Sequence, residues 1–236
     1  MNIDISYYDD ISSTNEVLKQ MALDGAAAGR VLVAWHQSEG RGRLGRTFES
    51  PRGGIYMSML LDNDNTMLLT AKAAVATRRA IEQNTDCKVG IKWVNDIMLD
   101  GRKVAGILAQ AAGDKVVVGI GINFCTDISA MDSSVRDVAA SLYKKWQTPD
   151  CDAIDIVNTL VREMYHLAAE KDTFSWLDEY RSASVVIGRK VNIFQAGVKT
   201  GSGIAKSIDE NCALHVLDEK KGEVILSTGE ITLRLS

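Results

Sequence analysis

Asp100-Gly101 stands between two apolar runs, Ile97-Met98-Leu99 and Val104 to Ala111. Asp-Gly at that spacing is the strongest short-range signal for a β-hairpin, because both turn positions favour residues that tolerate positive φ. The neighbouring chain has to fit around it. Val89-Gly90-Ile91-Lys92-Trp93 precedes the hairpin as a short strand, and after the turn at Gly113-Asp114 the run Val116 to Phe124 reads as another. Upstream, Ile3 to Tyr8, Val31-Leu32-Val33-Ala34-Trp35 and Ile55 to Leu61 are further strands.

Helical patterns alternate with these runs. Ser12-Ser13-Thr14-Asn15 offers N-cap side chains ahead of a helix over Glu16 to Leu23, which Gly25 ends. Asp62-Asn63-Asp64-Asn65 is a turn, and Thr66 to Gln83 carries apolar residues at helical spacing. Val135 to Trp146, Asp152 to Glu170 and Thr173 to Arg181 read as helices, with Pro149 separating the first two. From Ser184 the texture changes to short β runs: 185–187, 191–194, 203–205, 213–217, 224–226 and 231–233, punctuated by glycines and polar turns. That pattern predicts a small all-β barrel of about fifty residues. The expectation is an α+β chain in two domains, 1–183 and 184–236.

Composition removes several classes of function. The net charge of −4 argues against a general nucleic-acid binder. No apolar run is long enough to span a bilayer, and the first residues carry no basic n-region. Cys87, Cys125, Cys151 and Cys212 lack Cys-x-x-Cys spacing and read as reduced cytosolic thiols. His36, His166 and His215 are dispersed, so no metal-binding or nucleophilic triad pattern emerges and no metal-ligand set is expected. Gly119-Ile120-Gly121-Ile122-Asn123 lacks the third glycine of a dinucleotide fingerprint, and no P-loop is present.

The chemistry-bearing stretch is Gly40-Arg41-Gly42-Arg43-Leu44-Gly45-Arg46, running on to Pro51-Arg52-Gly53-Gly54. Alone, such a stretch reads as a solvated basic loop. Hung between two core strands, it becomes a candidate site. It has little apolar surface to bury, so its order is expected to depend on a bound anion. Two other turns carry polar residues, Lys92-Trp93-Val94-Asn95-Asp96 and Gly101-Arg102-Lys103-Val104-Ala105-Gly106. If their strands are neighbours in one sheet, Arg41, Arg43, Lys92 and Lys103 converge around Asn95 and Asp96. Such a pocket suits two anions that otherwise repel, such as a carboxylate and a triphosphate. Each unit-charge contact at about 4 Å and an effective dielectric near 20 is worth roughly 4 kcal/mol before desolvation. Asp96 is placed to meet Mg²⁺ carried by the nucleotide.

These segments, in this order, resemble the biotin protein ligases: Ser13-Thr14-Asn15, Gln37 with the Arg loop, Lys92 to Asp96, Arg102 to Leu108, and Gly119 to Asn123. The resemblance extends to Gly229-Glu230-Ile231-Thr232-Leu233-Arg234 as the closing strand. It implies a class II synthetase-like mixed sheet flanked by helices and followed by an SH3-like barrel. It also implies a two-step reaction in which biotin and ATP give biotinyl-5′-AMP, and the biotinyl group then passes to a lysine of a biotin carboxyl carrier domain. By the same resemblance, Ser13, Thr14, Asn15, Gln37, Arg41, Gly42, Arg43 and Lys103 would hold biotin. Arg43, Arg46, Phe48, Lys92, Asn95, Asp96 and Asn123 would hold the nucleotide. Lys103, Arg43 and Asp96 would carry the chemistry, with Asp96 helping to accept the carrier amine's proton. The family usually has proline at Val94 and tryptophan near Phe48. A cytoplasmic enzyme with a carboxylase partner and a possible sheet-edge homodimer is expected. With Ser13 so near the start, no helix-turn-helix domain, DNA binding or membrane binding is expected. The competing readings are a lipoate or octanoate ligase, separable by pyrophosphate release from ATP that depends on biotin and is absent with lipoate, and a non-catalytic binder of biotin or its adenylate, separable by label transfer to a carrier lysine.

Overall fold

The computed structural model describes residues 3–62, 65–145, 147–170, 175–195, 198–218, 220–227 and 231–235. Asn63, Asp64, Trp146, Thr173, Gly229 and Glu230, which the expectations above include, lie outside the described residues. The first sheet has the spatial order β1 (Asp4–Tyr8), β2 (Arg30–Ala34), β3 (Ile55–Asp62), β7 (Lys115–Ile122), β6 (Arg102–Ala112), β5 (Asp96–Leu99) and β4 (Gly90–Lys92). Only the β1–β2 pair is parallel, so the sheet is mixed. The hairpin forms where Asp-Gly dictated it, with Asp100 at φ 49° and Gly101 at φ 77° joining β5 to β6.

Successive strand residues face opposite sides of the sheet. On one side Val31, Val33, Met57, Met59, Val116, Val118 and Ile120 pack in one cluster with residues of α2 (Thr66–Asn84), α4 (Ala153–Ala169) and α5 (Ser175–Ser182). On the other side Leu32, Leu60, Ala112 and Val117 meet Leu18 and Ala22 of α1 (Thr14–Leu23). Helix α1 has ten residues, about 15 Å of helix, and covers only part of that face. The strand register then defines three rows: Leu60 opposite Val117, Ser58 opposite Gly119, and Tyr56 opposite Gly121. The first row lies under α1, and the other two carry the site.

Ion pairs bind the three helices of the covered face. Glu179 of α5 meets Arg78 at 3.0 Å and Arg79 at 2.7 Å on α2, and Arg79 also reaches Glu163 of α4 at 3.1 Å. All four side chains are largely withdrawn from solvent, so each pair is screened less than a surface pair.

Two sequence expectations are corrected. The helix over Val135 to Trp146 is only the short α3 (Ser133–Arg136). The chain then turns extended, because the Lys103 amide donates to Val138 O and the Ala140 amide donates to Lys103 O, both at 2.8 Å. The run 185–187 does not enter the C-terminal sheet. The Val185 amide donates to Ile91 O, and the Ile91 amide to Ala183 O, beside β4 of the first sheet. The second sheet is antiparallel, with the order β11 (Gly222–Leu226), β10 (Leu214–Asp218), β9 (Val198–Ile208), β8 (Lys190–Gln195) and β12 (Ile231–Leu235). Among the described residues it is an open five-stranded sheet.

Glu179→Gln removes the charge that two arginines share. It is expected to lower unfolding stability by about 2 kcal/mol, measured by urea denaturation. In the C-terminal sheet His215 Nδ1 is 3.0 Å from Glu223 and Nε2 is 3.3 Å from Asp209. Glu223, and then Asp209, raise the His215 pKa above its ordinary 6.5. The folded state therefore favours the imidazolium. That contribution is complete below the unfolded pKa and is lost as pH rises through the raised folded value. Melting curves of His215→Gln should accordingly lack part of the wild-type fall in stability as pH rises above about 6.5.

Candidate functional site

Ser13, Thr14, Asn15, Gln37, Arg41, Gly42, Arg43, Asn95 and Lys103 line one cleft, together with Phe48, Tyr56, Met57, Ile107, Leu108, Ile120 and glycines of β6 and β7. Its volume is about 460 Å³, the open mouth included. The floor is glycine because side chains from above occupy the space. A Cβ on Gly121 would stand 2.6 Å from Phe48 Cε1, and one on Gly106 would stand 2.8 Å from Lys103 Nζ and 3.1 Å from Phe48 Cε2. Gly106 and Gly121 are register partners, so together they form a side-chain-free patch for the Phe48 ring. In the next row Gly119 leaves the space that the Asn15 amide fills.

The inner end is a closed polar network. Ser13 caps α1 by accepting from the Glu16 amide. Gln37 Oε1 accepts from the Thr14 amide at 2.8 Å, and Gln37 Nε2 donates to Ser50 Oγ at 2.9 Å. Fully buried Ser58 lies 2.7 Å from Thr14 Oγ1 and 2.6 Å from Asn15 Oδ1. Asn15 Oδ1 only accepts, so the Ser58 proton serves it, while the single Thr14 hydroxyl proton is shared between Ser58 Oγ and Gln37 Oε1 at 3.1 Å. Asn15 Nδ2 donates to Gln110 Oε1 at 2.9 Å. The Asn15 amide is thus occupied at both ends by protein partners.

The outer end is cationic. Arg43, Arg46, Lys92 and Lys103 line it with one carboxylate, Asp96, beside Gly42, Leu44, Thr47, Phe48, Trp93 and Asn95. Lys103 Nζ is 2.6 Å from Asp96 Oδ1 and 5.6 Å from the Phe48 ring centroid. Arg43 Nη1 donates to Asn95 Oδ1 at 3.0 Å, and Asn95 Nδ2 donates to Ile107 O at 2.9 Å. Burial pulls the Arg43 pKa down, and the nearby Asp96 charge opposes it. The convergence anticipated from sequence is therefore present for Arg43, Lys103, Asn95 and Asp96.

Other expected residues sit less centrally. Arg41 borders the cleft but pairs with Glu39 at 3.4 Å in an exposed position. Asn123 is among the lining residues of neither part of the cleft. Its Nδ2 donates to Ala140 O at 3.0 Å, while its Oδ1 is buried and has no partner. The Arg loop closes through its own atoms, with Gly42 N donating to Arg46 O at 2.7 Å and Phe48 N to Gly40 O at 3.0 Å. These bonds, and Phe48 seated on the glycine patch, give the loop its shape. Tyr56, Ser58, Gln110, Gly106 and the roles of Gly119 and Gly121 were missed. Glycines at alternate positions of one strand were the available signal.

The family model described as "Biotin/lipoate A/B protein ligase family" matches residues 7–126. The chain belongs to that family. A biotin--[acetyl-CoA-carboxylase] ligase of Mycobacterium tuberculosis is 32% identical, over 93% of this chain and 85% of its own length. The bifunctional ligase/repressor BirA of Bacillus subtilis is 38% identical over 58% of this chain, and the match spans 45% of that relative, less than half its length. Among solved structures, the biotin protein ligase from Aquifex aeolicus in complex with biotin and ATP matches with a TM-score of 0.87 and 27% identity, over 99% of each chain.

Ser58→Ala leaves Asn15 Oδ1 buried without its donor. The expected loss is about 1–3 kcal/mol of unfolding free energy, read from thermal denaturation.

Proposed function

We propose that this chain is an ATP-dependent biotin–protein ligase. The observation that carries the reading is the graded cleft: a closed polar pocket, an apolar middle over a glycine floor, and a cluster of four cations around one carboxylate. Biotin has a ureido head with donors and an acceptor, an aliphatic chain, and a carboxylate tail. Those parts match the Ser13/Thr14/Gln37 end, the middle formed by Leu108 and Phe48 over the glycine floor, and Lys103 in turn. A lipoyl ring brings no amide to the polar end. The names of the M. tuberculosis relative and of the A. aeolicus structure support the same substrates.

In the first step a biotin carboxylate oxygen bonds to the α-phosphorus of ATP, and pyrophosphate leaves with its bridging oxygen. Lys103 exchanges Asp96 for the carboxylate and the α-phosphate. Its charge then lies where negative charge accumulates in the transition state. Arg43, kept in place by Asn95, faces the phosphates, with Arg46 and Lys92 further out. Arg41 and Gly42 border biotin from the loop side, and Asn15 acts through the network that shapes the polar end. Asn123 lines neither part of the cleft, so its place in the nucleotide set rests on the family resemblance alone. In the second step a carrier lysine amine attacks the biotinyl carbonyl and AMP leaves. Asp96, released from Lys103, accepts the proton. Among the described residues no three His, Cys, Asp or Glu side chains gather. Magnesium therefore fits as the nucleotide's own ion, with Asp96 as the one carboxylate at hand; there it neutralises phosphate charge.

The partner in this reading is a biotin carboxyl carrier domain. Residues 1–183 would bind both small molecules, and residues 184–236 would form the SH3-like unit.

Incubation with ATP, Mg²⁺ and biotin should release pyrophosphate and yield biotinyl-AMP by mass spectrometry, and lipoate should not replace biotin. Lys103→Ala and Arg43→Ala should each lower the rate on the order of 10²–10³-fold with an unchanged circular dichroism spectrum. Wild-type rates in either variant would remove that residue from the mechanism.

A further inference from the structure

The two residues before Asn95 are held from far along the chain. Trp93 Nε1 donates to Cys212 O at 2.7 Å across 119 residues, and Tyr180 OH donates to Val94 O at 3.0 Å across 86 residues. Both bonds are buried. Asn95 and Asp96 come next in sequence and face the cleft, where they engage Arg43 and Lys103.

The turn that presents Cys212 O is built for the purpose. Asp209 Oδ1 accepts from the amides of Asn211 and Ala213, both at 2.9 Å. The Asp209 amide donates to Ala213 O at 3.0 Å, and the Cys212 amide donates to Asp209 O at 3.1 Å. Cys212 takes φ 60°, a backbone state that non-glycine residues rarely adopt. Arg181, next to Tyr180, donates from Nε to Ile208 O at 2.8 Å. Helix α5 and the C-terminal turn therefore brace each other, and each fixes one residue of the 92–96 segment.

We infer that Trp93 and Tyr180 are positioning residues for the nucleotide half of the reaction. Through them, the 209–213 turn of the C-terminal sheet sets the placement of Asn95 and Asp96 and, through Asn95, that of Arg43, which faces the phosphates. The bonds lie on the outer, cationic end only. Among the described residues, the side chains of Thr14, Asn15, Gln37 and Ser58 bond to one another, to Ser50, to Leu108 O and to Gln110. The inference rests on the ligase reading for its kinetic consequence and on geometry alone for its structural one.

Tyr180→Phe deletes one donor at nearly constant shape, and Trp93→Phe deletes the other while keeping a smaller ring in place. Each should raise the KM for ATP about tenfold, the worth of a buried hydrogen bond whose acceptor is left unpaired, with the KM for biotin within about twofold of wild type. Amide hydrogen exchange, which needs no activity, should quicken in residues 92–96 and stay at wild-type rates in residues 13–16 and 37. Equal shifts in both KM values, or an unchanged KM for ATP, would overturn the inference. So would unchanged exchange over 92–96 in both variants. A wild-type protein that releases no pyrophosphate would instead overturn the ligase reading, leaving the exchange result to decide this one.

Discussion

Every strand residue projects a side chain onto one face of its sheet unless it is glycine. That constraint governs this molecule. The helix layer covers one face of the seven-stranded sheet, while α1 covers part of the other. The remaining part would bury ordinary strand side chains and fill itself. Gly106, Gly119 and Gly121 keep it open, and the space is taken by Asn15, Phe48 and the end of Lys103. The cleft is therefore specified twice, by the strand register that sets those glycines opposite Leu108, Ser58 and Tyr56, and by the loop that returns Phe48 onto them.

The charges follow the same logic. Lys103 and Asp96 neutralise each other in a half-buried place, and Arg43 donates to the neutral amide of Asn95. This leaves the outer cleft net positive without a tight cage of ion pairs to break. In the proposed reaction, incoming phosphates meet donors already oriented, and little rearrangement remains for the moment of bond making.

Much of this was legible beforehand. The Asp100-Gly101 hairpin, the flanking strands, α2, α4 and most of the C-terminal strands carry their own periodic or turn signals. The convergence of Arg43, Lys103, Asn95 and Asp96 followed from three turns lying in neighbouring strands. What could not be read was set by distant partners. Residues 138–142 have helical composition, yet Lys103 and Asn123 claim their backbone groups. Val185 has a strand-forming side chain, but Ile91 decides which sheet it joins. Nothing near Asn15 in the sequence signals that Ser58 and Gln110 engage its amide.

The span of the contacts behind Trp93 and Val94 bears on when the protein becomes competent during its own synthesis. Residues 13 to 123 supply the cleft's walls, and a nascent chain of that length already holds every strand of the first sheet. The bonds that fix the cationic end arrive with residues 180 and 212. At a ribosomal pace of about 5–20 residues per second, the intervening chain takes several seconds to appear. During that interval the sheet can form while its outer cleft stays unset, so ordering runs from the polar end outward and finishes with the last strands made.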